Sequence, residues 1–301
     1  MIAPAYNHYM KKTLAMTALA VTLALASAAS AQAQAIAAAK VETPKPSAQA
    51  SDSMGTRLPD GLDADTLIGL LMPMGDPARV TMVAAKPWPR RADSYVVFVC
   101  HTNMIVRPRT SPDCSADPVR GEESIPPTTY VGLVEKASNG QLRLVAATGA
   151  MTAQVNWAES GLSQAPIAAE SAMNGLVMPT RWDRFDLAAY KVRDDQYAFG
   201  LRVGWSDSYA GGGASFDALY LFAVDGDRLR VVLAQPMGYY SDIAGERNAD
   251  GTRDHELEEE RRVLQMSSRK TDGYYDVLIK GGSTPRTLKW STRDAAYVLA
   301  N

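Results

Sequence analysis

The chain has 301 residues, with 31 Lys and Arg against 33 Asp and Glu for a net charge of −2, and 46% of its residues are hydrophobic. Mixed, near-neutral charge supplies no basic field for nucleic acid, and after the first 35 residues no long apolar stretch or basic amphipathic segment attaches the chain to a membrane. Length and apolar content suffice for a sizeable core.

Lys11 and Lys12 precede an uncharged run from Leu14 to Ala29, and small residues then offer A-x-A sites at 29–31, 31–33 and 33–35. This order of features predicts a secretory signal peptide over residues 1–33. The run is shorter than the roughly 20 apolar residues of a spanning helix, so no membrane anchor is expected after cleavage. The expected location is periplasmic or secreted. Residues 34–57 are rich in Ala, Ser, Pro, Lys and Gln without apolar periodicity and read as a flexible leader, followed by a β-rich domain over 58–301.

The stretch "LDADTLIGLLMP" predicts a short helix, capped by Asp63, with Leu67, Ile68, Leu70 and Leu71 on its apolar side and Pro73 ending it. Cys100 and Cys114 are the two cysteines, and an oxidising compartment favours a disulfide between them. A zinc site built from them with His101 would lack a fourth ligand.

Strand patterns dominate beyond this point. Two apolar runs meet across Asn139-Gly140 and two more across Asp225-Gly226, dipeptides suited to tight hairpin turns. Each hairpin follows a strand opening with Asp-x-Tyr, at Asp93–Tyr95 and Asp195–Tyr197. Each precedes an aromatic-Asp-aliphatic strand, at Phe185-Asp186-Leu187 and Tyr275-Asp276-Val277. These matches suggest two related halves, about 79–190 and 191–301. The segment 149–180 reads as loop with a short helix, and the C-terminal strands complete a mostly antiparallel set. The expected fold is mainly β, in sandwich-like antiparallel sheets with few short helices.

Candidate chemistry concentrates in "GERNADGTRDHELEEERR". Glu246, Asn248, Asp250 and Asp254 carry oxygens at spacings suited to calcium, with Gly251 at the sharp turn. It is not an EF-hand, because Leu257 stands where the bidentate Glu belongs. The spacing resembles the Asp-x-Asp-x-Asp-Gly-x-x-Asp loops between strands of FG-GAP and VCBS repeats, with Glu246 departing from the first Asp. That resemblance implies a structural calcium ion. A second fragment, Asp272-Gly273-Tyr274-Tyr275-Asp276, carries only the tail of the motif. The C-terminal half, from "FDLAAYKV" to "KWSTRDAAYVL", resembles uncharacterised secreted proteins of Gram-negative bacteria, which implies export and a β-rich domain but no activity.

Enzyme signatures are sparse. His255 beside Glu256, Glu258 and Glu259 offers a general base with an orienting carboxylate, but no nucleophile is identifiable next to it. Ser267-x-x-Lys270 lies at a strand end, where positions three apart face opposite sides. Gly211 to Gly213 with Trp205 and Tyr209 suit either a ligand platform or a mobile connection. The expected function is an exported binding or interaction protein for an envelope or extracellular ligand, without nucleic acid and with structural calcium. The alternative is a hydrolase acting on a cell-envelope polymer through acids near His255.

Overall fold

The computed structural model describes residues 52–102, 113–114, 126–282 and 284–300. The signal peptide and most of the leader lie outside the described residues. Helix α1 (Ala64–Leu71) starts at Asp63, whose side chain accepts the Thr66 N–H at 2.8 Å. Its Leu67, Ile68 and Leu71 pack on Val97, Val99 and Val134.

Strands β1 (Val80–Pro87), β2 (Ser94–His101), β3 (Thr128–Lys136) and β4 (Leu142–Ala150) form an antiparallel meander. The short pair β5 (Val155–Asn156) and β6 (Leu176–Val177) encloses helix α2 (Ile167–Ser171). A second meander follows in β7 (Arg181–Arg193), β8 (Gln196–Tyr209), β9 (Gly212–Asp225) and β10 (Arg228–Arg247), and β11 (Arg253–Arg261) extends the far half of β10. The meanders join where β4 meets β10 in parallel, at Ala147 opposite Arg228. The path is therefore β1-β2-β3-β4-β10-β9-β8-β7.

This sheet curls round an aromatic interior. Phe98 on β2 and Trp182 on β7 lie 5.3 Å apart by ring centroids, although their strands stand near opposite ends of the path. Trp88, Trp157, Trp205, Phe199, Phe216, Tyr220 and Phe222 fill the same cluster. Eight curled strands leave about enough room for side chains to fill the space. A second, four-stranded sheet of β12 (Val263–Thr271), β13 (Tyr274–Lys280), β14 (Arg286–Ser291) and β15 (Ala296–Leu299) covers the outer face of the second meander. Val277, Ile279, Leu288 and Trp290 pack there on Val192, Leu219, Leu221 and Met237. The mainly β, antiparallel expectation holds; the two-layer packing belongs to this C-terminal region, while the large sheet encloses its own core.

The expected disulfide is present: Cys100 and Cys114 are bonded, with their Cα atoms 5.8 Å apart. A closure of this size is worth about 3 kcal/mol in the chain-entropy model. The Cys114 carbonyl accepts the Trp182 N–H at 3.3 Å, so the bridge ties β2 to the start of β7.

The leader reading ends too late. Asp52 accepts N–H bonds from Gly55, Thr56 and Arg57 at 2.7, 2.7 and 2.8 Å. Met54 is buried in the central cluster, the Gly55 carbonyl accepts the Ala85 N–H of β1 at 2.9 Å, and Ser53 Oγ donates to the Asp183 carbonyl of β7 at 3.2 Å. Residues 53–55 thus bridge the two ends of the strand path. The composition of this segment is leader-like, but one apolar side chain and a carboxylate that organises its own turn are enough to dock it.

The sequence matches between halves map onto this frame unevenly. The hairpins β3–β4 and β9–β10 hold corresponding places in the two meanders, as do β2 and β8. Phe185 and Tyr275, however, stand in different sheets, and the provisional boundary near 190 falls within β7. Tyr95 packs under α1, whereas Tyr197 packs on the central cluster.

Gly55 sits at φ +79°, and an added Cβ would lie 2.5 Å from the Ala85 carbonyl oxygen. Gly55→Ala is expected to destabilise by about 1–3 kcal/mol, and a domain of this size loses roughly 2–4 °C of Tm per kcal/mol. Gly69 in α1 has open space round it, so Gly69→Ala is expected to leave Tm unchanged or raise it by a similar increment. Thermal melts of the two variants check the bridging role of residues 53–55.

Candidate functional site

Glu246, Asn248, Asp250 and Asp254 fall at the tip of the β10–β11 hairpin. Asn248 and Thr252 close it, with Asn248 N–H donating to the Thr252 carbonyl at 2.8 Å and Gly251 N–H to the Asn248 carbonyl at 3.0 Å. Asp250 Oδ1 accepts the Thr252 N–H at 2.9 Å and its hydroxyl at 2.6 Å, and these bonds hold the Asp250 carboxyl below its ordinary range. Asn248 Nδ2 donates to Thr252 Oγ1 at 3.1 Å and to Asp254 Oδ1 at 3.3 Å. Among the described residues no three His, Cys, Asp or Glu side chains converge as a metal site. In the second fragment, Asp272 and Gly273 both have positive φ, 50° and 82°, as the two turn residues between β12 and β13.

His255 Nδ1 lies 2.5 Å from Asp242 Oδ1. Asp242 went unnoticed in the sequence because it stands 13 positions away and meets His255 only through the register that sets Ala244 opposite His255. The flanking acids turn elsewhere. Glu256 and Glu258 alternate to the other face of the ribbon, Glu258 accepting Gln164 Nε2 at 2.5 Å, and Glu259 pairs with Arg261. No hydroxyl or thiol hydrogen-bonds to His255 among the described residues.

The other sequence candidates have structural roles. Trp205 is buried and donates its indole N–H to the Met178 carbonyl at 2.9 Å, so it is core rather than platform. Gly212 lets β9 approach β10 closely, since an added Cβ would fall 1.8 Å from the Asp242 carbonyl oxygen. Ser267 Oγ accepts the Arg269 N–H, while Lys270 Nζ binds Asp194 at 2.6 Å and lies over the Tyr275 ring. Lys270 and the Tyr275 hydroxyl together hold the Asp194 carboxyl below its ordinary range.

The C-terminal sheet carries a groove that no motif announced. Its inward residues alternate with an outward row, and across that row runs a groove of about 820 Å³ lined by Ser267, Arg269, Lys270, Thr271, Asp276, Leu278, Thr287, Lys289 and Ala300. Asp276 is only 4% exposed and accepts the Thr271 hydroxyl at 2.7 Å. Lys270 is paired with Asp194, but Arg269 and Lys289 have no ion-pair partner among the described residues. A smaller slot of about 210 Å³ opens where the β9–β10 turn approaches this sheet. There Arg193 lies over Tyr274, 5.3 Å from its centroid, and Tyr274 stacks on Trp290 at 3.6 Å. The groove combines hydroxyls, a buried carboxylate and two cations without an ion-pair partner among the described residues, donors and acceptors suited to polar ligands.

No protein-family model, curated protein or solved structure matches the chain.

The hairpin tip is closed by its own hydrogen bonds, so its order is expected not to depend on an ion. Chelator-stripped protein is expected to melt at the same temperature with and without millimolar calcium. A rise in Tm that disappears in Asp250→Ala would show instead that Glu246, Asn248, Asp250 and Asp254 gather calcium, since saturation one hundredfold above Kd adds about 2.7 kcal/mol.

Proposed function

We propose that this chain is an exported, non-catalytic binding protein that holds an envelope or extracellular ligand in the groove of its C-terminal sheet. The observation that carries the reading is the pair Arg269 and Lys289, which line a groove and form no ion pair among the described residues. Exposed cations flanking a buried carboxylate offer a charged or hydroxylated ligand both donors and an acceptor. Export rests on the residue pattern at positions 11–35, and the disulfide agrees with an oxidising compartment.

The rival reading, a hydrolase acting on an envelope polymer, has one observation in its favour: the short contact between His255 and Asp242. Against it, both side chains are well exposed on a projecting ribbon, at 54% and 38%. A general base needs a substrate held beside it, and the groove lies on another sheet.

Co-sedimentation of the purified protein with an insoluble envelope fraction from Gram-negative cells separates the two. Salt-sensitive binding is expected, weakened at least tenfold by Arg269→Glu with Lys289→Glu, with no release of soluble fragments. Fragment release that is lost in His255→Gln would establish the hydrolase and remove this proposal.

A further inference from the structure

Resting on that reading, we infer that the groove takes an acidic saccharide, a hydroxyl-rich sugar chain carrying carboxylates. The residue types of the lining favour this class. Leu278 and Ala300 are its apolar members, against three hydroxyls at Ser267, Thr271 and Thr287, three cations and one carboxylate. Leu278, Ala300 and the aliphatic stems of the cations give the groove an apolar floor on which the carbon faces of sugar rings can rest, while the hydroxyls and charges that rim it have no partner in a lipid or a flat aromatic ligand.

Asp276 specifies the sugar. An ionised carboxylate has about four acceptor sites and no donor, and the one hydrogen bond found for its side chain comes from the Thr271 hydroxyl. Asp276 lines the groove with acceptor capacity to spare, and adjacent hydroxyls of a sugar ring are donors of suitable number and spacing to meet it. An acidic peptide offers this position only single backbone N–H donors spaced along its chain, and its side-chain carboxylates meet repulsion there.

Arg269 and Lys289 specify the acid. Arg269 stands on β12 and Lys289 on β14, with Asp276 and Leu278 of β13 between them. A chain lying across the sheet meets a cation at each side and the buried acceptor in the middle. Charge-assisted bonds to carboxylates are the stronger class of hydrogen bond, and guanidinium matches a carboxylate in two-point geometry. Lys270 is already engaged by Asp194, which leaves it as a wall rather than a ligand contact.

The test titrates three probes into the full-length mature protein by calorimetry: an oligogalacturonate, a neutral hexose oligomer of equal length, and polyglutamate. The oligogalacturonate is expected to bind at least tenfold more tightly than either other probe. Lys289→Gln, an exposed position, and Asp276→Asn are each expected to reduce that affinity about tenfold, with melting temperature and circular dichroism reporting whether Asp276→Asn stays folded. Equal binding of polyglutamate would mean that the groove reads charge alone, and equal binding of the neutral oligomer that the cations are idle; either overturns the inference. If no probe binds while envelope co-sedimentation still depends on Arg269 and Lys289, the ligand class is wrong and the binding-protein reading stands. Loss of both removes the two together.

Discussion

The structure depends on one constraint: the second meander is buried on both of its faces. Along β9, Phe216, Ala218, Tyr220 and Phe222 point into the aromatic interior, while Leu219 and Leu221 alternate with them beneath the C-terminal sheet. A strand in that position cannot show the apolar-polar alternation of a half-wet sheet, and "ASFDALYLFAV" accordingly reads as a nearly continuous apolar run. Both remaining bodies of structure follow from it. The first meander and residues 151–180 close the inner side, and β12 to β15 close the outer one. Strand β10, 20 residues long, spans the arrangement, pairing with β4 at its start, β9 along its length and β11 at its far half.

A curled sheet that does not close leaves two edges, and unpaired edge groups must find partners or water. Here β1 and β7 are linked through intermediaries. Gly55 satisfies β1, Ser53 reaches β7, and Cys114, tethered to Cys100, receives the Trp182 N–H. Arg262 performs a similar task where β11 passes into β12. Its side chain, 2% exposed, binds Glu260 and donates to the carbonyls of Ser160 and Gly161, and its own N–H reaches the Met237 carbonyl at 2.7 Å. A buried guanidinium is tolerated only with such complete pairing. It fixes the 159–164 segment against the ribbon, where Ser163 meets Tyr239 and Gln164 meets Ser241 and Glu258.

What was legible in the sequence was local or covalent. The capped helix at Asp63, the hairpins and the disulfide each announce themselves within a short window, and each is present. Arg262 carries no such signal, because nothing near it in sequence reveals its carbonyl partners at Ser160 and Gly161. Glu258 and Glu259 read as companions of His255, whereas strand alternation sends Glu258 to the opposite face and leaves the histidine to Asp242. Asp-Gly at 250–251 and 272–273 carries calcium-like spacing, yet hairpin geometry alone accounts for the glycines in both places. The groove was invisible for a simpler reason. Ser267, Arg269, Thr287 and Lys289 are what any solvent-facing row of a sheet looks like in one dimension.

What distinguishes that row from an ordinary wet face is the depth of Asp276. A carboxylate held away from water costs free energy unless its lone pairs are met, and a single threonine hydroxyl meets one of them. That cost falls on the fold whether or not anything binds, so the acceptor is already desolvated and oriented when a donor arrives. The surrounding sheet holds it there: Val277 and Ile279 on either side of the outward Leu278 are locked in the inter-sheet core, and Tyr274 is stacked on Trp290. Rigid placement by an independent core removes much of the ordering cost from binding. On the outer face of the C-terminal sheet, polar side chains are therefore positioned by packing that they do not themselves provide, and the proposed binding rests on that arrangement.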